Sequence, residues 1–350
     1  MYMNSKKQSS VDIARIAGVS QATVSRVLSG SPKVKKETRD MILQIMDEAG
    51  FRPNPFAQAM RTNQSRTVGV AVSRITNPIV PEILEELASH LAKKGRRTLV
   101  WNTDTEGEQG LIDAIMSRTI DGVIFTAASH QSGAIETALA EQLPVVSFNR
   151  YLEMGNCDQV VSTNQKGGAE LAKYLVGCGR ERIAFVNGPL DRTTLADRER
   201  GFRQDLKDAG RTLPDELYRR CDIRKNAFRQ VALDLASGAR RPDAIACGND
   251  LIAIQVLNGL RAAHCRVPED IWVTGFDGIE MSGWDIVNLT TMRQPLDLMA
   301  ANAAEAIINR IDGKIEEPQT YEYQTELLVR ESTENARPSG SSRSSSSEAR

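Results

Sequence analysis

The sequence SSVDIARIAGVSQATVSRVL, residues 9–28, predicts two short helices joined by a tight turn. The first helix carries apolar side chains at helical spacing: Val11, Ile13, Ala14, Ile16 and Ala17. Ser9 and Asp12 form an approximate capping box at its start, and Gly18 ends it. Ser20 is suited to cap the second helix.

The second helix, about residues 21–28, has two faces of different character. Its apolar face consists of Val24, Val27 and Leu28, and its opposite face of Gln21, Ala22, Ser25 and Arg26. One apolar face and one polar face are typical of the second helix of a helix-turn-helix, which enters the major groove of DNA. An ordinary pair of amphipathic helices is the alternative, and the dense match in the turn disfavours it.

Two further stretches extend this pattern, SPKVKKETR at residues 31–39 and GFRPN at residues 50–54. Together with the first stretch they resemble the DNA-binding headpiece of the lac repressor family of bacterial transcription regulators. The resemblance continues intermittently to Arg330 and covers nearly the whole chain. A third helix is expected at about residues 35–49, with Met41 or Ile42 facing inward.

Charge divides the chain into a basic and an acidic part. Residues 1–66 contain eleven Lys or Arg and five Asp or Glu, a net charge of +6. Because the whole chain of 350 residues carries −1, the remainder carries −7. A basic head on an acidic body fits a DNA-contacting module attached to a regulatory body, although a solvated basic face would give the same count.

Several classes of protein are disfavoured by composition and motifs. No run of 18 apolar residues is present and the N-terminus is polar, so we expect a cytoplasmic protein without a membrane partner, associated with the nucleoid through DNA. The five cysteines are widely spaced, which predicts reduced thiols and no metal site. The three histidines are scattered, and no Gly-rich phosphate loop follows a strand. We therefore expect no catalytic residues, no cofactor and no enzyme activity.

Residues 53–66 match the hinge helix and linker of the family. A helix this short is marginal alone, since nucleation costs more than so few hydrogen bonds return. The resemblance implies that Asn54 binds phosphate and that Ala57 and Met60 lie in the minor groove. Met60 replaces the usual Leu, so the kink it produces in DNA is expected to be softer. A plain linker is the alternative.

From Thr67 onward, short apolar strands alternate with helices, which predicts parallel sheets. The fold class is therefore α/β: an all-α helix-turn-helix headpiece (1–52), then two doubly wound parallel-sheet subdomains that resemble the periplasmic-binding-protein type (67–330). We expect an N-subdomain of about 67–162 plus 294–320 and a C-subdomain of about 163–293 plus 321–330. The Ser/Arg-rich residues 331–350 predict a disordered tail. It lacks Leu heptads, which favours a homodimer over a tetramer.

The resemblance assigns DNA contacts within the headpiece. Gln21, Ala22 and Arg26 are expected to read bases, and Arg suits a guanine edge because its fork matches the O6 and N7 acceptors. Ser20, Thr23 and Ser25, like Asn54, are expected to bind phosphate, which positions the protein without reading sequence.

Polar residues at predicted strand ends indicate a ligand site between the subdomains. Ser73, Thr126 and Asn149 follow three strands of the first subdomain; Asn149 stands where the family often has Asp. The resemblance assigns effector binding to Arg198, Asn249 and Asp277. Such groups suit ring hydroxyls, and Arg74 and Arg150 would also suit an acidic sugar or carboxylate.

These features predict a ligand-gated repressor of sugar or related carbon-source genes. A homodimer would bind double-stranded, pseudo-palindromic operator DNA, and a sugar or sugar acid, or alternatively a purine, would change its affinity. Whether the ligand is an inducer or a corepressor stays open. A solute-binding protein of a sugar transporter and an α/β enzyme are the rival classes. The first is disfavoured by the headpiece and the second by the lack of acid–base pairs.

Overall fold

The computed structural model describes residues 8–28, 31–51, 64–126, 132–152, 156–190, 193–222, 227–238, 240–315 and 317–334. The chain forms two compact units, the head Met1–Arg66 and the body Thr67–Arg350. Asn54, Ala57 and Met60 of the predicted hinge lie outside the described residues. No described helix is long and apolar enough to cross a membrane.

The described residues of the head form three helices: α1 (Ser10–Ile16), α2 (Gln21–Leu28) and α3 (Lys36–Glu48). The predicted capping box is present, since Ser9 Oγ accepts the N–H of Asp12 while the Asp12 carboxylate accepts the N–H of Ser9. Gly18 has φ +64°, a conformation that other residues adopt at a cost, so the turn between α1 and α2 requires glycine. Lys35 provides no side-chain cap for α3.

The core of the head is smaller than the apolar pattern predicted. Ile13 and Val24 are fully buried, and Ile42 rather than Met41 faces inward. Val11 and Ile16 are 55% and 52% exposed, because a head of three short helices buries only one stripe of each. The two residues belong to the outer surface of α1.

The body follows as an alternation of strands and helices. In chain order it begins with β1 (Thr67–Val72), α4 (Ile79–Lys93), β2 (Arg97–Asn102), α5 (Thr103–Glu106), α6 (Gln109–Met116), β3 (Gly122–Phe125), α7 (Gly133–Ala140), β4 (Val145–Phe148) and β5 (Asp158–Ser162). It continues with α8 (Asn164–Gly177), β6 (Ile183–Asn187), α9 (Thr193–Asp208), β7 (Tyr218–Arg220), α10 (Ala227–Ser237), β8 (Ala244–Cys247), α11 (Asp250–Ala262), β9 (Trp272–Asp277), β10 (Thr290–Arg293), α12 (Leu296–Ile311), β11 (Thr320–Tyr323) and β12 (Glu326–Leu328).

The strands form two six-stranded sheets, each the centre of one lobe. The first sheet has the order β11-β5-β4-β3-β1-β2 and the second the order β12-β10-β9-β8-β6-β7. All pairings are parallel except that of β10 with β12. Helices cover both sheets, as the doubly wound α/β prediction requires.

The chain crosses between the lobes three times: after β5, after β10 and after β11. The third crossing follows Tyr323 and not Thr320, because β11 pairs with β5 along Thr320–Tyr323 and so belongs to the first sheet. The predicted disordered tail also began too early. Ser332 and Thr333 are buried, and Ser332 Oγ donates to the carbonyl of Val273 at 2.7 Å, so tertiary hydrogen bonds order a stretch that looks polar in sequence.

Candidate functional site

Helix α2 presents the predicted base-reading residues to solvent. Gln21, Ala22 and Arg26 are exposed, whereas Val24 and Val27 on the opposite side are buried against the other helices of the head. A rigid helix that carries short and long polar side chains on one exposed face can enter a major groove.

Some of the residues predicted to bind phosphate stabilise the start of α2 itself. Ser20 Oγ accepts the N–H of Thr23 at 3.1 Å and lies 2.9 Å from its hydroxyl, so Ser20 caps the helix. Gln21 Nε2 donates to Ser10 Oγ at 3.2 Å and links α2 to the start of α1. Ser25 is half-buried. The hydroxyls of Ser20 and Thr23 therefore have a structural role, and their contact with DNA stays a prediction.

In the body, all six residues predicted to bind an effector lie at one cavity between the lobes. The first lobe contributes Ser73, Thr126 and Asn149, and the second contributes Arg198, Asn249 and Asp277. The cavity has a volume of about 60 Å³. It lies where the carboxyl ends of strands from both sheets face each other, which is the usual ligand position in open α/β sheets.

Arg198, in the second turn of α9, is held by contacts in the plane of its guanidinium and above it. Nε donates to Asn164 Oδ1 at 2.8 Å, Nη1 donates to the carbonyl of Gly248 at 2.9 Å, and Nη2 lies 2.9 Å from Asp277 Oδ1. The guanidinium also stacks 3.8 Å from the ring centroid of Phe276. Burial lowers the pKa of Arg198, and Asp277 opposes that shift.

Asp277 connects Arg198 to the other lobe. Gln294 Nε2 donates to Asp277 Oδ1 at 2.9 Å, and Gln294 Oε1 accepts from Ser162 Oγ at 2.7 Å. Because Ser162 ends a strand of the first sheet, this chain of hydrogen bonds spans both lobes. Burial raises the pKa of Asp277, whereas Arg198 and Gln294 lower it.

Asp250, the fully buried first residue of α11, was not among the six residues predicted to bind an effector. Its Oδ2 accepts the N–H groups of Gly278 and Ile279 at 2.8 and 3.0 Å, and its Oδ1 accepts the Thr291 hydroxyl at 2.6 Å. Burial and then the charge of Asp277 raise the pKa of Asp250 to about 7. Its place directly after a buried strand was the available signal.

The other predicted residues differ in what they offer a ligand. Asn249 Oδ1 accepts the N–H of Ile252 at 2.9 Å and so caps α11, and the Thr126 hydroxyl donates to the carbonyl of Ala71 at 3.1 Å. Asn149 Oδ1, by contrast, is buried and has no hydrogen-bond partner among the described residues. A buried acceptor without a partner costs free energy, so it favours a ligand that donates.

Two glycines let Arg198 reach the cavity. A Cβ on Gly168 of α8 would lie 2.1 Å from the carbonyl oxygen of Arg198, and a Cβ on Gly201 of α9 would lie 1.8 Å from that of Gln165. The backbones of α8 and α9 therefore touch at these positions. Gly168 therefore allows the close approach that positions Arg198.

One histidine is less isolated than its sequence position indicated. His90 Nε2 lies 2.8 Å from Asp297 Oδ1 and 3.9 Å from Glu86 Oε2. Asp297 is 68% exposed, and the cluster lies on the surface away from the cavity lining.

Comparison with known proteins matches both units of the chain. Residues 11–54 match the model of bacterial regulatory proteins, lacI family, and residues 172–333 match a periplasmic binding protein-like domain. The ribose operon repressor of Escherichia coli is 30% identical over 304 residues, covering 86% of this chain and 92% of that protein. The transcriptional repressor PurR of Aliivibrio fischeri is 29% identical over 330 residues, or 93% of this chain and 98% of that protein.

Solved structures give the same result for the fold. The transcriptional regulator CelR in complex with cellobiose is 27% identical with a TM-score of 0.71, and the match covers 93% of this chain and all of that one. The lac repressor dimer bound to operator is 24% identical with a TM-score of 0.82, over 94% of this chain and 99% of that one.

Proposed function

Because the chain belongs to the lacI family of bacterial regulatory proteins, we propose that it is a repressor whose affinity for operator DNA is set by a small molecule in the cleft of its body. Membership of the family makes the chain a DNA-binding transcriptional repressor and not an enzyme. The observation that carries the ligand-gated part is the convergence of six polar residues from both lobes on one cavity.

DNA recognition is assigned to the exposed face of α2. Gln21 and Ala22 read bases near the N-terminus of the helix, Arg26 reads a guanine, and Ser20, Thr23, Ser25 and Asn54 contact phosphates. Ala57 and Met60 contribute the minor-groove contact.

The Arg26→Ala variant tests this assignment. In vitro selection from random DNA with the wild-type chain gives the operator, which we expect to be a pseudo-palindrome. Loss of one bidentate contact should then cost about 1–3 kcal/mol and relax preference at one base pair of each half-site. Competition binding with operators mutated at single positions measures the discrimination.

The matched control is Arg15→Ala, an exposed arginine on α1 that pairs with Asp12. Whatever it does to total affinity, it should leave the ratio between operator variants unchanged. If Arg26→Ala also leaves that ratio unchanged, Arg26 does not read a base.

Gating follows from the construction of the body. A ligand that contacts both lobes binds more tightly to one relative arrangement of the lobes than to another, and so stabilises that arrangement. It shifts the DNA-binding equilibrium by the difference between its affinities for the two arrangements. A thermal-shift screen with sugars, sugar acids and purines identifies the class, because binding to the folded state raises its melting temperature. An effector must also change the affinity for the selected operator.

A sugar or sugar acid fits the cavity better than a purine. None of the described lining residues is aromatic, and one face of the nearby Phe276 ring is already covered by Arg198. A purine therefore finds no described ring to stack on, although PurR proteins are among the relatives. Stabilisation by purines alone would reverse this preference.

We also infer a homodimer. Leu99 and Val100 on the edge strand β2 are 46% and 45% exposed, and Ile286 of the second lobe is 80% exposed. Apolar side chains on an open sheet edge favour pairing with another chain. Analytical ultracentrifugation of the full chain gives the mass directly, and a monomer at micromolar concentration would contradict the dimer.

A further inference from the structure

Three side chains with metal-binding groups, Glu86, His90 and Asp297, meet on the surface of the first lobe. Nε2 of His90 lies 2.8 Å from Oδ1 of Asp297 and 3.9 Å from Oε2 of Glu86. One ligand atom from each residue can be chosen so that all three atoms lie within 4.8 Å of one another. An imidazole nitrogen combined with carboxylate oxygens is a donor set that binds Zn²⁺ in proteins.

Two helices that share one apolar core hold the three side chains. Glu86 and His90 are four residues apart on α4 and so lie on the same face of that helix, and Asp297 is in the first turn of α12. Leu87 of α4 and Met299 of α12 are buried in the same core. Because both helices are anchored in that core, the backbone holds the three donors at fixed positions relative to one another.

The distances between the donor atoms are close to those that a metal ion requires. Bonds from zinc to a histidine nitrogen or a carboxylate oxygen are about 2.0–2.2 Å long, so neighbouring ligand atoms in a tetrahedral site lie about 3.4 Å apart. The two distances from His90 Nε2, 2.8 and 3.9 Å, lie on either side of that value. Side-chain movements of about 0.5 Å bring each carboxylate oxygen to the required distance from the nitrogen.

The exposure of the three side chains leaves the site open to solvent on one side. The side chain of His90 is 19% exposed, that of Glu86 38% and that of Asp297 68%. A metal ion can therefore enter from solvent and keep water in its remaining coordination positions. The two carboxylates also bring negative charge, which a divalent cation compensates.

The histidine distinguishes this cluster from an ordinary pair of surface carboxylates. A neutral imidazole can carry its proton on Nδ1, which leaves Nε2 free to coordinate a metal. Mg²⁺ and Ca²⁺ take oxygen ligands, whereas imidazole nitrogen suits zinc, nickel and copper. The donor set therefore favours a transition metal over the alkaline-earth cations.

We propose that Glu86, His90 and Asp297 bind a divalent transition metal, with Zn²⁺ as the expected ion, and that this ion joins α4 to α12. The sequence alone does not reveal such a site, because Asp297 follows His90 by 207 residues. None of the three residues is among the described residues that line the cavity, so the proposal is independent of ligand gating.

Isothermal titration calorimetry of the full chain with zinc chloride, after removal of metal by a chelator and dialysis, tests the proposal. We expect one equivalent of Zn²⁺ to bind at Glu86, His90 and Asp297 with a Kd on the order of 10 µM or tighter, and Mg²⁺ and Ca²⁺ to bind at least tenfold more weakly. His90→Gln should remove that equivalent. Glu86→Gln and Asp297→Asn should each weaken it about tenfold or more.

His264→Gln and Cys178→Ser are the matched controls. His264 is an exposed histidine of the second lobe, and Cys178 is an exposed cysteine that can bind Zn²⁺ by itself. Both variants should keep the equivalent that His90→Gln lacks. Thermal unfolding gives a second readout, since Zn²⁺ should raise the melting temperature of wild type and of both controls more than that of His90→Gln.

Zn²⁺ binding that is the same in His90→Gln as in wild type overturns the proposal, as does the absence of binding to wild type at about 100 µM Zn²⁺. Equal affinities for Zn²⁺ and Mg²⁺ overturn it too, because they show that the carboxylates attract cations by charge alone. Glu86→Gln and Asp297→Asn keep the shape of the side chains, so they test the site even if His90→Gln fails to fold. Unchanged Zn²⁺ affinity in both of them contradicts coordination by the carboxylates.

Discussion

Arg198, Asp250 and Asp277 place one positive and two potentially negative groups at buried positions, and two of them, Arg198 and Asp277, line the cavity. Burying a charge is expensive, and an ion pair repays that cost only when its geometry and its further hydrogen bonds are good. Asp277 has both Arg198 and Gln294 as partners, whereas Asp250 has only neutral donors. Burial, and then the charge of Asp277, raises the pKa of Asp250, while the hydrogen bonds from these neutral donors lower it.

Neutralising one member of the buried ion pair of Arg198 and Asp277 should destabilise the folded protein. Asp277→Asn keeps the shape but leaves Arg198 buried without its main counter-charge, so we expect a loss of about 3 kcal/mol in the free energy of unfolding. Urea denaturation measures it. Glu216→Gln, which removes the exposed partner of Arg240, is the control and should leave the midpoint where it is. A loss for Asp277→Asn no larger than the control's would show that the ion pair is dispensable.

Asp250 predicts a pH dependence of stability. Between about pH 4, where an unfolded aspartate titrates, and pH 7, the folded state keeps a proton that the unfolded state has released. The unfolded state therefore binds fewer protons, and stability contributed by this group falls as pH rises, by at most about 1.4 kcal/mol per pH unit. Above pH 7 the loss is complete.

Comparison of wild type with Asp250→Asn isolates this term, since both chains share every other titrating group. The difference between their free energies of unfolding should change steadily from pH 5 to pH 7 and then level off. A difference that stays constant over that range would place the pKa of Asp250 near its ordinary value.

At the scale of elements, the contact between α8 and α9 determines where Arg198 lies. Helices pack this closely only where a glycine removes the side chain, and Gly168 and Gly201 do so on opposite partners. The same contact places Asn164, at the start of α8, within hydrogen-bonding distance of Arg198. The cavity therefore depends on helix packing on the side of the second lobe.

Gly168→Ala should destabilise the body by about 1–3 kcal/mol, because its methyl group would lie 2.1 Å from a backbone oxygen that can move only with α9. Gly177→Ala, at the end of the same helix, meets no atom within 4 Å and should be neutral or stabilising by up to about 1 kcal/mol. Thermal unfolding of both variants shows the contrast. Similar melting temperatures would mean that the helices can separate without cost.

The sequence predicts strands well where burial on both faces determines which residues they contain. The strands β3, β4 and β8 lie where short, mainly apolar runs occur in the sequence, because a strand that is buried on both faces carries apolar residues at most of its positions. No apolar run marks β7, because Tyr218–Arg220 is a polar edge strand, or β10, because Thr290–Arg293 begins with two threonines.

Those threonines are buried only because distant groups satisfy them: Thr290 bonds the C-terminal segment at Thr333, and Thr291 bonds Asp250. The cavity residues likewise divide into those that a local sequence pattern marks and those that depend on contacts with distant residues. Six of the lining residues were predictable from strand ends and family resemblance, and Asp250 was marked by its place after β8. Gln294 and Phe276, by contrast, act through contacts that no local pattern displays.

At the scale of the body, contacts outside the crossings also join the two lobes. Glu82 on α4 of the first lobe accepts the N–H of Glu280 of the second through its Oε1, at 2.9 Å. Ile279 beside it is buried in the apolar core of the first lobe. Burial raises the pKa of Glu82, and the hydrogen bond from Glu280 lowers it. These contacts stabilise the arrangement in which the cavity is enclosed by both lobes.

Glu82→Ala should therefore reduce the population of that arrangement. Since apparent affinity scales with the competent fraction, we expect effector binding to weaken about 3- to 10-fold. Titration calorimetry with the effector that the thermal-shift screen identifies measures the change. Glu85→Ala, which changes an exposed residue of the same helix, is the control. If the Glu82→Ala variant binds the effector as tightly as this control, Glu82 does not stabilise the closed arrangement of the lobes.

The three crossings between the lobes have a consequence for biosynthesis. Synthesis from the N-terminus delivers β1 to β5 first, yet the helix that covers that sheet, α12, and the strand that completes its edge, β11, come after residue 295. The second lobe, in contrast, receives β6 to β9 as one continuous run. The lobe that leaves the ribosome first is thus completed only near the end of synthesis, and the part of its apolar face that α12 covers, with Val146 and Phe148, waits until nearly the whole chain exists. That interval is when a nascent chain of this topology depends most on chaperones.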